Sequence, residues 1–260
     1  MSVFLVTTSA SSRRRLVDVH MLKTIVLLTA TPHQQRALGL LLKSHNPALS
    51  FRLACSLVEL AVMESDVLRH ARLVAYTTGV IVPGAFLDAL GHGAYNFHPG
   101  PPQYPGWAPA HFAIYDGVRD FGTTMHEMIA RVDSGPITGT EFFPIPESAG
   151  VRDLEQIAYI RLAHLFWRKA RELACQSEPL RRLPIAWSGI KSTKQMYRDH
   201  CALPAEIDAG ELRRRIRAFD DDFRAIPFTV TLNGVCYRLD LPALRNCLTE
   251  QIEAPPLAVA

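Results

Sequence analysis

The sequence predicts an α/β fold with a mostly parallel, twisted sheet, followed by a small C-terminal helix and β-hairpin. Three observations carry the prediction. Short apolar runs rich in β-branched residues alternate with stretches of helical spacing through the first 150 residues. After residue 150 a single long amphipathic segment replaces the alternation. Near the end, Asn233-Gly234 separates two short strand-like runs, and Asn-Gly supplies the positive φ angles of a type I′ turn.

The elements follow in order. "KTIVLLTA" (23–30) reads as a buried strand, and "PHQQRALGLLLKSH" as the helix after it. "FRLACSL" (51–57) is a second strand, and "VELAVMESDVLRHA" a helix or broken helical segment. "RLVAYTTGVIVP" (72–83) is strand then loop, "GAFLDAL" a short helix, and "GAYNFHPG" a strand running into a loop. "APAHFAIYDG" is a helix that stops at Gly117. "GTTMHEMIARV" (122–132) alternates as a strand, with Thr124, His126 and Met128 on one face, and "ITGTEFFPI" is the next strand. In "RDLEQIAYIRLAHLFWRKARELAC", Leu154, Ile157, Leu165 and Phe166 contribute to the apolar face of a long helix. An irregular stretch with Pro184 and Gly189 follows. "DAGELRRRIRAF" then opens on Asp208 with Glu211 three residues on, a capping-box signature. "FTVTL", Asn-Gly and "VCYRL" complete the hairpin.

These elements divide the chain into a leader over 1–22, expected to be disordered, an α/β domain over 23–180, a small appendage over 190–245 and a tail over 246–260. The 260 residues hold 48% hydrophobic and 20% charged residues, as in an ordinary globular protein. A formal net charge of +3 is too small to argue for a nucleic-acid partner. The five cysteines include no C-x-x-C pair, which fits reduced thiols in the cytoplasm better than a disulfide framework. No stretch approaches the length of a membrane span, and the basic cluster Arg13–Arg15 follows the first apolar run, the reverse of a secretory signal. An Arg- and Ser-rich targeting peptide is the alternative for the leader.

In a parallel α/β sheet, ligands bind at the carboxyl ends of the strands. Asn96 and His98 lie where a strand runs out, and their spacing turns both side chains to one side. Asp133 also follows a strand, before a tight Ser134-Gly135 turn. A carboxamide, an imidazole and a carboxylate at one end of a sheet can together handle acyl transfer. The competing reading is a strand end whose polar groups satisfy loop backbone. His111 and His126 could suggest a metal with His98, but no metal-ligand spacing supports one, and His126 reads better as a satisfied strand histidine.

The stretch "AYNFHPGPPQYPGWAPAHFAIYDGVRDFGTTMHEMIARVDSGPITG" resembles the signature of the folate-dependent formyltransferase family, which includes methionyl-tRNA, sugar-amine and glycinamide ribonucleotide formyltransferases. The motif positions are Asn96, His98 and Pro99; Tyr104 and Gly106; Gly122, Thr124 and His126; and Asp133, Gly135 and Ile137. The resemblance is strong over about 70–140 and weaker to about 180, and "ELRRRIRAF" with the hairpin resembles the start of the family's C-terminal region. It implies a Rossmann-like domain and formyl transfer from the co-substrate N10-formyltetrahydrofolate to a primary amine through a tetrahedral intermediate, without a metal. Asn96 and His98 would hydrogen-bond the carbonyl oxygen as it becomes an oxyanion. Asp133 would pair with His98, raise its pKa and help move the amine proton. The pterin would lie against Val80, Ile81 and Val82 and the backbone from Ile129 through Ala130 and Arg131 to Asp133. Tyr104 and Trp107 would stack on the substrate, with loop packing as the equal alternative.

Two departures bear on the acceptor. His98-Pro99 continues with Gly100-Pro101-Pro102-Gln103 instead of the family's common Ser-Leu-Leu-Pro, and "TATPHQQ" offers no glycine-rich turn for a phosphate. The second weakens the glycinamide ribonucleotide reading. The appendage is short for the methionyl-tRNA enzymes' C-terminal barrel, and Arg213, Arg214, Arg215 and Arg217 read better as a solvated helix face than as an RNA surface. A small-molecule amine is therefore favoured, either an amino sugar on a nucleotide carrier or an amino-acid-derived amine. tRNA is the less favoured partner, and a homodimer is compatible with the sequence. Hydrolysis of formyltetrahydrofolate and non-catalytic folate binding stay open as alternatives.

Overall fold

A computed structural model describes residues 21–188, 190–220 and 223–241. Most of the expected leader and all of the tail beyond residue 246 lie outside these, but Leu22 is already buried in the core, and its amide donates to Ser177 Oγ.

The first strand, β1 (Thr24–Thr29), is buried along its whole length, as its unbroken apolar run requires. Thr31 and Gln34 close a reciprocal capping box and Pro32 takes the first turn of α1 (Pro32–His45), so the strand passes directly into a helix. Next come β2 (Ser50–Ala54), the short α2 (Leu57–Ala61) and α3 (Ser65–Leu68), and β3 (Ala71–Tyr76). They are followed by α4 (Gly84–Asp88), β4 (Ala94–His98), α5 (Pro109–Asp116), β5 (Asp120–Glu127) and β6 (Ile137–Pro144). The sheet order is β2-β1-β3-β4-β5-β6. Strands β1 to β4 pair in parallel, whereas β5 runs antiparallel to both β4 and β6. The order reverses between β1 and β3, which opens a crevice at the carboxyl ends of the parallel strands.

The strand expected over 122–132 ends at Glu127. There Glu127 N donates to Pro136 O and Met128 N to Ala94 O, and residues 128–136 leave the ladder as a loop before β6. The long helix α6 (Val151–Cys175) turns Leu154, Ala158, Leu162, Leu165 and Phe166 inward at intervals of three and four. With α1 it covers one face of the sheet, while α2 to α4 pack on the other.

The C-terminal part contains two elements the sequence did not announce, α7 (Lys194–Cys201) and the two-residue β7 (Ala202–Leu203). Then come α8 (Ala209–Phe219), β8 (Thr229–Leu232) and β9 (Val235–Arg238), with Asn233 and Gly234 at positive φ as the turn requires. Half of the expected capping box forms. Asp208 accepts from the Glu211 amide, but the Glu211 carboxylate instead takes Arg215 and the Tyr115 hydroxyl. Tyr197, Ile216, Phe219 and Phe228 share one core with Ala113, Phe121 and Leu154, so these elements pack directly on α5, β5 and α6. Among the described residues, no helix is long and apolar enough to cross a membrane.

Candidate active site

The strand β4 ends by turning Asn96 and His98 to the same side, into the crevice. Register with the antiparallel β5 sets His126 directly opposite Asn96, and Thr124 opposite His98. The loop after β5 returns Asp133 to the same point. Asp133 holds a positive φ of 45°, a conformation that aspartate tolerates better than most residues, and its Oδ2 accepts the Gly106 amide at 2.9 Å. Gly106 itself has φ 97°, and a Cβ there would lie 2.3 Å from Ser192 O. At Gly135 a Cβ would meet Glu127 O at 2.0 Å. Both signature glycines are thus backbone approaches that close the loops around Asp133.

Four polar side chains converge. His126 Nδ1 donates to its neighbour Glu127 O at 2.8 Å, which fixes the ring. Its Nε2 stands 3.1 Å from Asn96 Nδ2 and 3.3 Å from Asp133 Oδ1. A neutral His126 accepts from the Asn96 amide, and a protonated one donates to Asp133. His98 Nε2 donates to Tyr104 O at 3.0 Å and leaves Nδ1 facing Asp133 Oδ2 across 3.7 Å, wide for a hydrogen bond. Trp187 sets its ring edge-on to both imidazoles and donates Nε1–H to Gly135 O.

Burial dominates the electrostatics of His98. It holds the imidazole below its ordinary pKa, outweighing the upward pull of the Asp133 carboxylate and the Tyr104 carbonyl, and His126 adds to the lowering. The expectation that Asp133 would raise His98 is therefore reversed, because the ring is almost wholly removed from water. For Asp133, burial acts upward, but the His126 hydrogen bond, the charges of His98 and His126 and the Gly106 amide prevail and hold it at about 2. The pair at neutral pH is an ionised carboxylate beside a neutral imidazole.

A cavity of about 460 Å³ opens in front of this cluster. Val80, Ile81 and Val82 line it from the loop after β3, and Ile129, Ala130 and Arg131 from the loop after β5, so all six residues expected to hold a pterin reach it. The five apolar side chains among them, with backbone from both loops, suit a flat heteroaromatic ring. Trp107 also lines the cavity, but its ring is bracketed by the Arg224 guanidinium and the edge of Tyr197. Tyr104 does not line it. Its hydroxyl donates to Asp116 and its ring packs on Phe121, because the loop turns the side chain toward α5, and what reaches the site is its backbone carbonyl. Among the described residues no cluster of side chains has the makings of a metal site.

Several residues in and beside the site carried little signal along the chain. His126 stood among the signature positions, although its own spacing read as that of a strand histidine. Trp187, Lys191 and Ser192 come from the irregular stretch, where Ser192 clasps the 105–107 loop through Pro105 O and Trp107 O, and Lys191 donates to Val132 O. Glu155, Tyr159 and Arg224 form the far wall.

Comparison with known proteins bears on this arrangement. The formyl transferase family model matches residues 60–159. A methionyl-tRNA formyltransferase from Listeria welshimeri is 33% identical over 123 residues, 47% of this chain and 38% of that protein. The match thus spans about two fifths of that relative's length. Among solved structures, a sugar N-formyltransferase from a Shewanella species superposes with a TM-score of 0.64 at 14% identity, over 84% of this chain and 96% of its own. An N-formyltransferase from Helicobacter canadensis, in complex with folinic acid and dTDP-3-aminofucose, gives a TM-score of 0.57 at 16% identity, over 82% and 85% of the two chains. At these identities the structural likeness is one of fold.

Proposed function

We propose that this chain, a member of the folate-dependent formyltransferase family, transfers a formyl group from N10-formyltetrahydrofolate to the primary amine of a small molecule. The observation that carries the reading is the Asn96–His126–Asp133–His98 cluster at the wall of the cavity, where a proton acceptor and an amide donor face the same space. The folate supplies an activated formyl group beside a nitrogen that can leave. The amine nitrogen bonds to the formyl carbon, the bond from that carbon to the folate nitrogen breaks, and one amine proton ends on the departing nitrogen.

The residues divide this work. His126 engages one Asn96 amide hydrogen, so the second remains for the negative charge that develops on the carbonyl oxygen. The His98 Nε2 hydrogen is directed to Tyr104 O, so His98 acts here as the proton acceptor rather than as an oxyanion donor. Its Nδ1 receives the amine proton, and the ionised Asp133 stabilises the imidazolium that results. Trp187 and the 105–107 loop shield the pair from water. Val80, Ile81, Val82 and the 129–131 segment hold the pterin. For the acceptor, the amino sugar nucleotide and the amino-acid-derived amine are the two classes. Within α8, Arg214 and Arg215 pair with Glu211 and Arg217 donates to Ala149 O, which counts against an RNA surface.

The test is release of tetrahydrofolate from N10-formyltetrahydrofolate with and without an amine panel. Amine-dependent release supports transfer. Release unchanged by any amine would refute it in favour of hydrolysis, and no release would leave a folate-binding protein.

A further inference from the structure

We propose that Glu155 and Tyr159, one turn apart on α6, are the specificity-determining wall of the cavity, and that they select a hydroxyl-bearing amine, an aminated sugar rather than an amino acid. The inference rests on the formyl-transfer reading of the same cavity. Glu155, Ala158 and Tyr159 stand at i, i+3 and i+4, and all three line the cavity, so one helical face forms this wall. Glu155 Oε1 accepts Arg224 Nη2 at 2.7 Å and lies 3.8 Å from His111 Nδ1. Oε2 makes no hydrogen bond among the described residues. The carboxylate is thus fixed in place and its charge already matched by a cation. What it offers a ligand is acceptor lone pairs, which suit a hydroxyl better than a second ammonium. Tyr159 stands beside it with 46% of its surface exposed. Burial and then the Glu155 charge raise its pKa, so the phenol remains a donor throughout the physiological range. Donor and acceptor side by side on a half-open wall match the paired hydroxyls of a sugar ring.

An amino acid fits less well. Its carboxylate would enter a cavity that already holds the ionised Asp133. Arg224 is engaged with Glu155 and His111, and Arg131 and Lys191 belong to the Asp133 end, where they also line a second cavity beyond that loop. Trp107 is no free stacking platform, since Arg224 and Tyr197 bracket its ring.

The test measures tetrahydrofolate release with dTDP-3-aminofucose, glucosamine, glycine and propylamine as acceptors. A sugar amine is expected to give the highest kcat/KM. Glu155→Gln should raise its KM roughly tenfold while kcat and the folate KM stay within about twofold, since a charge-assisted hydrogen bond is weakened without touching the reacting atoms. Tyr159→Phe changes a half-exposed side chain, and should raise the same KM about threefold even if Glu155→Gln does not fold. If glycine or propylamine is the best acceptor, or neither variant moves the acceptor KM, the inference falls and formyl transfer stands. If no amine accelerates release, both fall.

Discussion

Asp133 and His98 both titrate below their ordinary values, for opposite reasons: burial lowers His98, whereas at Asp133 hydrogen bonds and neighbouring charges overcome burial. Asp133 sits near 2 against an ordinary 3.8, while His98 lies below an ordinary 6.5. In the proposed mechanism the pair therefore keeps its working protonation state on the acid side of neutrality. The acid limb of kcat/KM should fall at a lower pH than an ordinary histidine would give, measurable as a pH–rate profile with saturating amine. Asp133→Asn should lower kcat by about 100-fold or more with little change in the folate KM, and a variant with near-full turnover would remove Asp133 from the mechanism. The same carboxylate acts on stability. Its folded pKa is depressed, so its contribution is complete above about pH 4 and is lost as pH falls toward 2, a change of roughly 2 kcal/mol. Urea denaturation at pH 5 and pH 2.5 should show a smaller pH dependence in Asp133→Asn than in the parent chain.

At the scale of elements, Arg72 on β3 is wholly buried without a carboxylate. Its guanidinium donates to His92 O, to Glu172 O and Leu173 O in the last turn of α6, and to Glu178 O beyond it, with the Tyr95 ring 5.3 Å away. A cation at a helix C-terminus meets the negative end of the helix dipole and satisfies carbonyls the helix leaves open. The side chain thereby ties the end of α6 to the middle of the sheet. Arg72→Leu should cost about 3 kcal/mol in denaturant unfolding, because several buried carbonyls lose their donor at once. A loss under about 1 kcal/mol would mean that water replaces it. The strand β5 shows how a local pattern can miss an element's end. Alternation continues through Val132, but Met128 to Val132 are held by loop hydrogen bonds from Glu127, Met128 and Ser134, and that loop is what returns Asp133 to the site.

At the scale of the molecule, the C-terminal elements share a core with α5 and α6, and Arg224 reaches the cavity wall. Phe219 is fully buried, against Phe112, Tyr115 and Tyr197. Unfolding is therefore expected to be one cooperative transition by calorimetry, and Phe219→Ala should lower the stability of the whole by about 3–4 kcal/mol. Two separable transitions, with the variant moving only one, would mark an independent C-terminal unit.

The chain alone determined the alternation of strand and helix, the placement of Asn96 and His98 at a strand's end, and the loop residues around the cavity. These follow from periodicity, turn chemistry and a signature in which several spaced residues recur together. Tertiary structure decided the rest. His126 joins the site because β5 pairs antiparallel with β4 and faces it to Asn96, and no local pattern states a register. Glu155 and Arg224 come from distant segments that only packing brings to one cavity, and packing likewise sets Trp187 edge-on to the two imidazoles. The direction of the His98 shift also lay beyond the sequence. A neighbouring carboxylate can be guessed from a motif, but the desolvation that outweighs it depends on everything folded around the ring.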